Sequence, residues 1–173
     1  ITGALTTTTT DALNKVLASD GITGIGAVKV KSTDANNTIA EANFVSAQTT
    51  GAVTATLTKA DGTLYTLIEL ADLNDTGNVY TINLIDTGAL AASTLNVLNG
   101  KTTGLITIGA TRITGALSDV KSLYDANTAG EVAGLGNEVV TLSDQGNISA
   151  SALNAVNGLT TGVVTVAATT VTG

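Results

Sequence analysis

One motif occurs three times in this chain, and the repetition constrains the fold more than any other feature. The motif reads Leu-Asn-Val-Leu-Asn-Gly-Lys-Thr-Thr-Gly at residues 95–104, and it returns as Leu-Asn-Ala-Val-Asn-Gly-Leu-Thr-Thr-Gly at residues 153–162. A divergent copy at residues 42–51 ends in the same Thr-Thr-Gly. Similarity at a fixed spacing is typical of proteins that stack one structural unit several times. We therefore expect a repeat array, which more often serves as a spacer, a scaffold or a binding surface than as an enzyme.

The composition excludes several classes of function. The 173 residues include no Cys, His, Met, Trp or Pro, which excludes thiol nucleophiles, imidazole bases, disulfides and the usual zinc sites. The net charge is −7 and the seven basic residues are scattered, whereas nucleic-acid binding needs clustered Lys and Arg. No apolar run approaches the roughly 18 residues of a membrane-spanning helix. We therefore expect no nucleic-acid partner and no membrane insertion.

Three aspartates, Asp34, Asp86 and Asp144, precede the copies of the motif and mark the repeats. The last two are separated by the same distance along the chain as the two well-kept copies, and the first two are slightly closer together. The aspartates define four segments, of which the first and last are partial repeats: residues 1–34, 35–86, 87–144 and 145–173. We expect all four to belong to a single repeat-array domain.

A second motif, Ile-Thr-Gly, occurs at residues 1–3 and 113–115, and it returns as Val-Thr-Gly at residues 171–173. The chain therefore begins and ends at equivalent points of the repeat. We expect it to be a processed chain or a segment of a longer protein.

Each repeat divides into two halves, and each half reads as a helix followed by a strand. The predicted helices lie near residues 5–18, 38–47, 63–74, 90–99, 116–127 and 149–157. The predicted strands lie near residues 27–32, 52–58, 79–85, 105–113, 138–143 and 163–171. In the last helix, Ser149 is the expected N-cap and Gly158 the expected C′ residue. The first helix has the weakest signal, because its threonine run is poor helix material.

The strands share one alternating pattern, with apolar residues at every second position and mostly Thr, Lys or Asn between them, as expected for half-buried strands. The residues expected to face inward are Val28 and Val30, Val53 and Ala55, Ile82 and Leu84, Ile106 and Ile108, Val140 and Leu142, and Val164 and Val166. Helices would then cover one face of the sheet and a Thr-rich face would meet water.

Connections between parallel strands are almost always right-handed. We therefore predict a right-handed α/β solenoid of about six helix–strand units with one parallel sheet, built from three repeats of about 58 residues. Helices are about 10 Å wide and strands stack about 4.8 Å apart, so a helix in every unit would bend the array. A straight array would favour the alternative, a parallel β-helix.

The three aspartates are also the candidate metal ligands. Asp34, Asp86 and Asp144 lie in strand-to-helix loops where carboxylate, carbonyl and amide oxygens could hold calcium. The alternative is that each one closes an Asx-turn or caps the next helix. One carboxylate per loop favours the turn or cap, and no other cofactor is expected.

Enzymatic activity is not expected, and no catalytic residue can be named. A polysaccharide lyase, which is the natural enzyme on a solenoid, would need clustered acidic and basic residues with aromatic platforms. The chain has one Phe, three Tyr and a single arginine, Arg112. The outward threonines could instead form a flat face that binds ice or glycans, but Lys and Asn interrupt the pattern.

The run Ala-Ser-Asp-Gly-Ile-Thr-Gly-Ile-Gly-Ala-Val at residues 18–28, the Leu-Asn…Thr-Thr-Gly motif and the Ile-Thr-Gly motif resemble the repeats of giant extracellular proteins of bacteria, especially cyanobacteria. That class includes cell-surface motility and adhesin-like proteins. The resemblance implies a secreted or surface-bound structural role, in a fibre or a coat, often alongside calcium-binding modules, and it supplies no catalytic residues.

Together these features predict an extracellular or cell-surface structural protein that forms a fibre, a stalk or a surface layer. Its main partner would be other copies of itself, joined end to end or laterally, with surface polysaccharide as a further candidate. The alternative is an adhesin-like module that binds glycan, ice or calcium through the Thr-rich strand face or the Asp loops.

Overall fold

The computed structural model describes residues 5–7, 10–35, 37–58 and 77–173 of the chain. These residues form a mixed α/β fold with parallel strand pairing, as predicted. The helices among them are α1 (Thr10–Leu17), α2 (Ile39–Gln48), α3 (Ala92–Asn99), α4 (Leu117–Ala129) and α5 (Ala150–Asn157).

The strands are short. They are β1 (Leu5–Thr7), β2 (Val30–Ser32), β3 (Val53–Thr58), β4 (Val79–Asn83), β5 (Ala89–Ala91), β6 (Ile106–Thr107), β7 (Arg112–Gly115), β8 (Val132–Ala133), β9 (Val139–Leu142), β10 (Asn147–Ser149), β11 (Val164–Val166) and β12 (Thr170–Thr172). Contacts group the chain into two compact units. Unit 1 comprises Ile1–Leu84 and Gly100–Ile106, and unit 2 comprises Ile85–Asn99 and Thr107–Gly173.

In unit 1 the strands run side by side in the order β1-β2-β3-β4. Val30 in β2 lies between Leu5 of β1 and Val53 of β3. Thr54 of β3 then lies opposite Val79 of β4. Chain order and spatial order therefore agree, and each new strand is added at the same edge.

In unit 2 four strands run in the order β5-β7-β9-β11, and β10 pairs separately with β12. Val140 in β9 lies between Ile113 of β7 and Val164 of β11. β8 lies beside the end of β6, where the Ile108 N–H donates a 2.9 Å hydrogen bond to the Ala133 carbonyl.

The expectation of one sheet is wrong, because unit 2 alone contains two. The predicted strand 105–113 is split into β6 and β7, and the predicted strand 163–171 is split into β11 and β12. In the first of these, the buried positions are even-numbered up to Ala110 and odd-numbered at Ile113. Side chains alternate strictly along a strand, so a change of phase requires the chain to turn.

Four predicted helices agree with the structure. α2, α3, α4 and α5 begin and end within two residues of their predicted limits. The predicted helix 5–18 begins only at Thr10, and β1 occupies Leu5–Thr7, because β-branched threonines favour extended backbone. The predicted helix 63–74 lies outside the described residues. The strands β5, β8 and β10 are not anticipated by the sequence pattern.

Helix ends follow the expected chemistry in part. Ser149 caps α5 as predicted, because its Oγ accepts a 3.0 Å hydrogen bond from the Ala152 N–H. Gly158 is the C-cap of α5 and has a right-handed conformation, with φ −74°, so the expectation that it is the C′ residue is wrong. A left-handed glycine instead ends α4, where Gly130 has φ 81°.

The core is formed by strand residues of the predicted inward phase together with one face of the helices. Five of the six predicted inward pairs are buried: Val28 and Val30, Val53 and Ala55, Ile82 and Leu84, Ile106 and Ile108, and Val140 and Leu142. The sixth pair, Val164 and Val166, is only half-buried. Within the described ranges, no helix has both the length and the apolar character needed to cross a bilayer.

Candidate functional site

The Thr-Thr-Gly end of the repeated motif forms a set of hydrogen bonds to the chain at the start of an earlier strand. In the third copy, the Thr160 hydroxyl donates a 2.7 Å hydrogen bond to the Glu138 carbonyl. The same hydroxyl accepts a 3.0 Å hydrogen bond from the Gly162 N–H. The Thr161 N–H donates to the Gly136 carbonyl at 2.8 Å. Thr160 is buried, so its hydroxyl supplies partners to two backbone groups that water cannot easily reach.

The glycine of the motif is required by space. A Cβ at Gly162 would overlap the carbonyl group of Glu138. Only a residue without a side chain allows the two backbones to approach this closely. We call this arrangement of two threonines and a glycine the Thr-Thr-Gly clamp.

The second copy has the same clamp in unit 1. The Thr102 hydroxyl donates to the Tyr80 carbonyl at 3.0 Å and accepts from the Gly104 N–H at 2.9 Å. The Thr103 N–H donates to the Asn78 carbonyl at 2.8 Å. A Cβ at Gly104 would overlap the Tyr80 carbonyl.

The first copy repeats the pattern again. The Thr49 hydroxyl donates to the Val28 carbonyl at 2.6 Å and accepts from the Gly51 N–H at 3.0 Å. The Thr50 N–H donates to the Gly26 carbonyl at 2.8 Å. A Cβ at Gly51 would overlap the Val28 carbonyl. The most divergent copy of the sequence motif therefore keeps every contact of the clamp.

Each clamp also fixes where the next strand pairing starts. The first ladder bond after the clamp runs to the residue that follows the glycine: Val30 N–H to Ala52 carbonyl at 3.0 Å, Ile82 N–H to Leu105 carbonyl at 2.9 Å, and Val140 N–H to Val163 carbonyl at 2.9 Å. The clamp therefore sets the register of each repeat on the preceding segment. The sequence marks the clamp as a repeat, but its geometry is not evident from spacing alone.

Of the three candidate metal ligands, Asp144 has the clearest role. Its Oδ2 accepts a 2.7 Å hydrogen bond from the Leu117 N–H at the start of α4. The N-cap residue of that helix, Ala116, makes no side-chain capping bond. A carboxylate at a helix N-terminus also interacts favourably with the helix dipole. Asp144 therefore caps the helix before it in the chain, and Ser149 caps the helix after it.

Asp34 lies half-buried in the loop after β2 in unit 1. Its N–H donates to the Ser32 Oγ at 3.3 Å, and its carbonyl accepts from the Asn37 Nδ2 at 2.8 Å. Asn37 is buried and also donates to the Thr56 carbonyl at 3.0 Å. Asn37 therefore ties this loop to β3.

Asp86 is half-buried in the loop between β4 and β5, in unit 2. In the part of the chain that the structure describes, no three acidic side chains come together as a group that could hold a metal ion.

Apolar side chains are exposed along the edge formed by β11 and β12, where Val163 is 68% and Val171 is 53% exposed. β11 is the last strand of its sheet, and β12 pairs only with β10 among the described strands. We call Val163–Val166 together with Thr170–Thr172 the outer edge. Edge strands present backbone N–H and carbonyl groups that can pair with another strand.

Residues of the outer edge are exposed where their equivalents in the preceding repeat are buried. Val171 has 53% of its surface exposed, whereas Ile113 has none. Val164 and Val166 are half-buried, whereas Ile108, which corresponds to Val166, is buried. The apolar pattern is kept at the outer edge, but no further strand of the described ranges covers it.

Compared with protein-family models, with curated proteins and with solved structures, the chain matches none of them.

Proposed function

We propose that this chain is a structural repeat protein of the cell surface or the extracellular space, which forms a fibre, a stalk or a surface layer by self-association. The resemblance of its motifs to bacterial surface repeats supports the location. The outer edge supports the association. The proposed role requires neither a catalytic group nor a cofactor.

One observation carries the proposal. The outer edge keeps valine at positions 164, 166 and 171, where the preceding repeat has isoleucine in the buried core. Covering apolar surface stabilises an assembly by about 25 cal/mol per Å². A further strand of the same repeat has the matching backbone pattern and side chains, so a second copy of the chain is the partner that fits this edge.

We also propose that the repeats stack as a right-handed α/β solenoid. Two features support it. The three clamps place each repeat on the preceding one in the same way. In addition, β2 pairs with β3 and β5 pairs with β7 at one spacing, because Val30 with Val53 and Ala89 with Arg112 are equally far apart along the chain.

Sedimentation velocity over a range of protein concentrations tests the association. We expect the intact chain to sediment as a growing series of oligomers. The variant Val171→Lys should remain monomeric, because it places a charge in the contact. Val171 is already half exposed, so the substitution should leave the fold intact, which circular dichroism can verify.

Val97→Lys is the matched control. Val97 is 54% exposed, close to Val171, but it lies on α3 and away from the outer edge. It should associate like the unmodified chain. A chain that stays monomeric at every concentration would overturn the proposal, as would equal loss of association in both variants.

A further inference from the structure

Two segments of the chain share a left-handed central glycine and a contact with a clamp, and they differ in what covers them. Ile-Thr-Gly-Ile-Gly at residues 22–26 corresponds to Val-Ala-Gly-Leu-Gly at residues 132–136. The central glycines Gly24 and Gly134 both have positive φ, 78° and 91°. The final glycines both accept the backbone N–H of a clamp threonine, from Thr50 and Thr161. We call residues 22–26 the open turn and residues 132–136 the covered turn.

The covered turn is packed against the end of β6. Val132 is only 2% exposed. A Cβ at Gly134 would overlap the carbonyl oxygen of Ile108, and the Ile108 N–H donates to the Ala133 carbonyl. The covered turn therefore shows what this local structure binds, namely the edge of a strand of the same repeat.

The open turn has no such neighbour within the described residues. Ile22, which corresponds to Val132, is 43% exposed. A Cβ at Gly24 would meet no described atom within 4 Å. A Cβ at Gly134, which has a similar φ, would overlap the carbonyl oxygen of Ile108. No residue of the described ranges fills the space that Ile108 fills at the covered turn.

The strand that would fill it is present at the outer edge. Val166 corresponds to Ile108 of the preceding repeat. The Val163 carbonyl and the Ala167 N–H are bonded to β9. Because bonding groups alternate along a parallel strand, the N–H and carbonyl of Val164 and Val166 point away from β9. The outer edge and the open turn are therefore the two halves of a contact that occurs once within unit 2.

We propose that the outer edge of one copy pairs in parallel with the open turn of a second copy. This inference rests on the proposed self-association and specifies its register. The Val166 N–H donates to the carbonyl of Thr23 in the second copy, and Gly24 packs on the Val166 carbonyl. Thr165 then lies opposite Thr23, as the internal bond from Ile108 to Ala133 places Thr107 opposite Ala133.

The joint also requires an exchange of strands. β12 corresponds to β7, which pairs with β9 through Ile113 and Val140. In the second copy the equivalent of Val140 is Val30, and β1 already pairs there through Leu5. β12 replaces β1 in the joint, so one strand pair is lost and one of equal length is gained. The burial of Val171 and of the open turn is the net gain.

Cysteine crosslinking tests the register directly, because the chain has no cysteine of its own. Thr23→Cys and Thr165→Cys both change exposed side chains. Neighbouring strands lie about 4.8 Å apart, within the range of disulfide formation. Mixed and oxidised, the two variants should give a crosslinked dimer that contains one copy of each, and neither should crosslink alone to the same extent. Thr165→Cys mixed with Ala40→Cys, which is exposed near the start of α2, is the control.

Two further variants complete the test. Ile22→Lys should weaken association about as much as Val171→Lys, and deletion of residues 1–7 should strengthen it, because β1 no longer competes. Sedimentation of the unmodified chain is measured alongside. Association without the 23–165 disulfide would overturn this register and leave the proposed function standing, whereas absence of association would overturn both. Weaker association after the deletion would contradict the exchange of β12 for β1.

Discussion

The Thr160 hydroxyl donates a 2.7 Å hydrogen bond to the carbonyl oxygen of Glu138, and it accepts one from the backbone of its own loop. The equivalent pairs, Thr102 with Tyr80 and Thr49 with Val28, make the same contact. This hydrogen bond is the contact that all three copies of the sequence motif make. It ties each repeat to the segment before it, so the stability of the chain should depend on the clamp threonines more than on other threonines.

Replacing Thr160 by valine tests that dependence. Valine keeps the shape but removes the hydroxyl, which leaves the buried Glu138 carbonyl and the half-buried Gly162 N–H without their partner. We expect the free energy of unfolding to fall by about 1–3 kcal/mol. Denaturation in urea measures it, with Thr107→Val at an exposed position of β6 as the control. Equal small effects in both variants would contradict the role of the clamp.

Replacing Gly162 by alanine tests the requirement for space. The added methyl group would overlap the Glu138 carbonyl, so strand β11 must shift, and we expect a loss of about 1–3 kcal/mol. Gly109→Ala is the matched control, because a Cβ at Gly109 would meet nothing within 4 Å. Thermal unfolding should show a clear loss in the first variant and little change in the second. If the two melt alike, the close approach is not what selects glycine.

Replacing Asp144 by alanine removes the cap of α4. We expect a loss of about 0.5–2 kcal/mol, since the Leu117 N–H loses its side-chain acceptor. Asp144→Asn keeps an acceptor oxygen and should recover most of the loss. Circular dichroism during urea denaturation measures both. A loss that is identical in the asparagine and alanine variants would argue against the capping role.

Asp144 also allows a test of whether its carboxylate caps α4 or binds calcium. A ligand that binds only the folded state raises the melting temperature. We expect calcium and a chelator to leave the melting temperature unchanged, because the Asp144 carboxylate is already engaged by α4. A calcium-dependent rise that is lost in both Asp86→Ala and Asp144→Ala would support the binding-module alternative instead.

Because the phenol of Tyr80 is buried, we expect the free energy of unfolding to fall in alkali. Burial raises the pKa of its phenol well above the ordinary value of 10.0. Stability from the protonated phenol is therefore complete below about pH 10 and declines as the pH rises further, since only the unfolded chain releases the proton readily. Tyr80→Phe should show a shallower decline of unfolding free energy between pH 9 and 11, even though it also loses the bond from Asn78. An unchanged slope would contradict the shift.

Local features of the fold could be predicted from the sequence, whereas contacts between residues far apart in the chain could not. The inward phase of five strands and the limits of four helices follow from periodicity and capping, as at Ser149. The change of phase between Ala110 and Ile113 is also readable in the sequence, and it explains why one predicted strand is two. By contrast, Asp144 caps a helix that begins far earlier in the chain, at Leu117, and the clamp bonds reach back to earlier strands. Such contacts depend on how the repeats stack, which spacing along the chain does not specify.

Negative-stain electron microscopy of the intact chain, with and without a calcium chelator, shows whether the protein assembles into a fibre or a layer. We predict ordered filaments or layers that persist in the chelator and are absent in Val171→Lys. Isolated particles of monomer size in both conditions would contradict it.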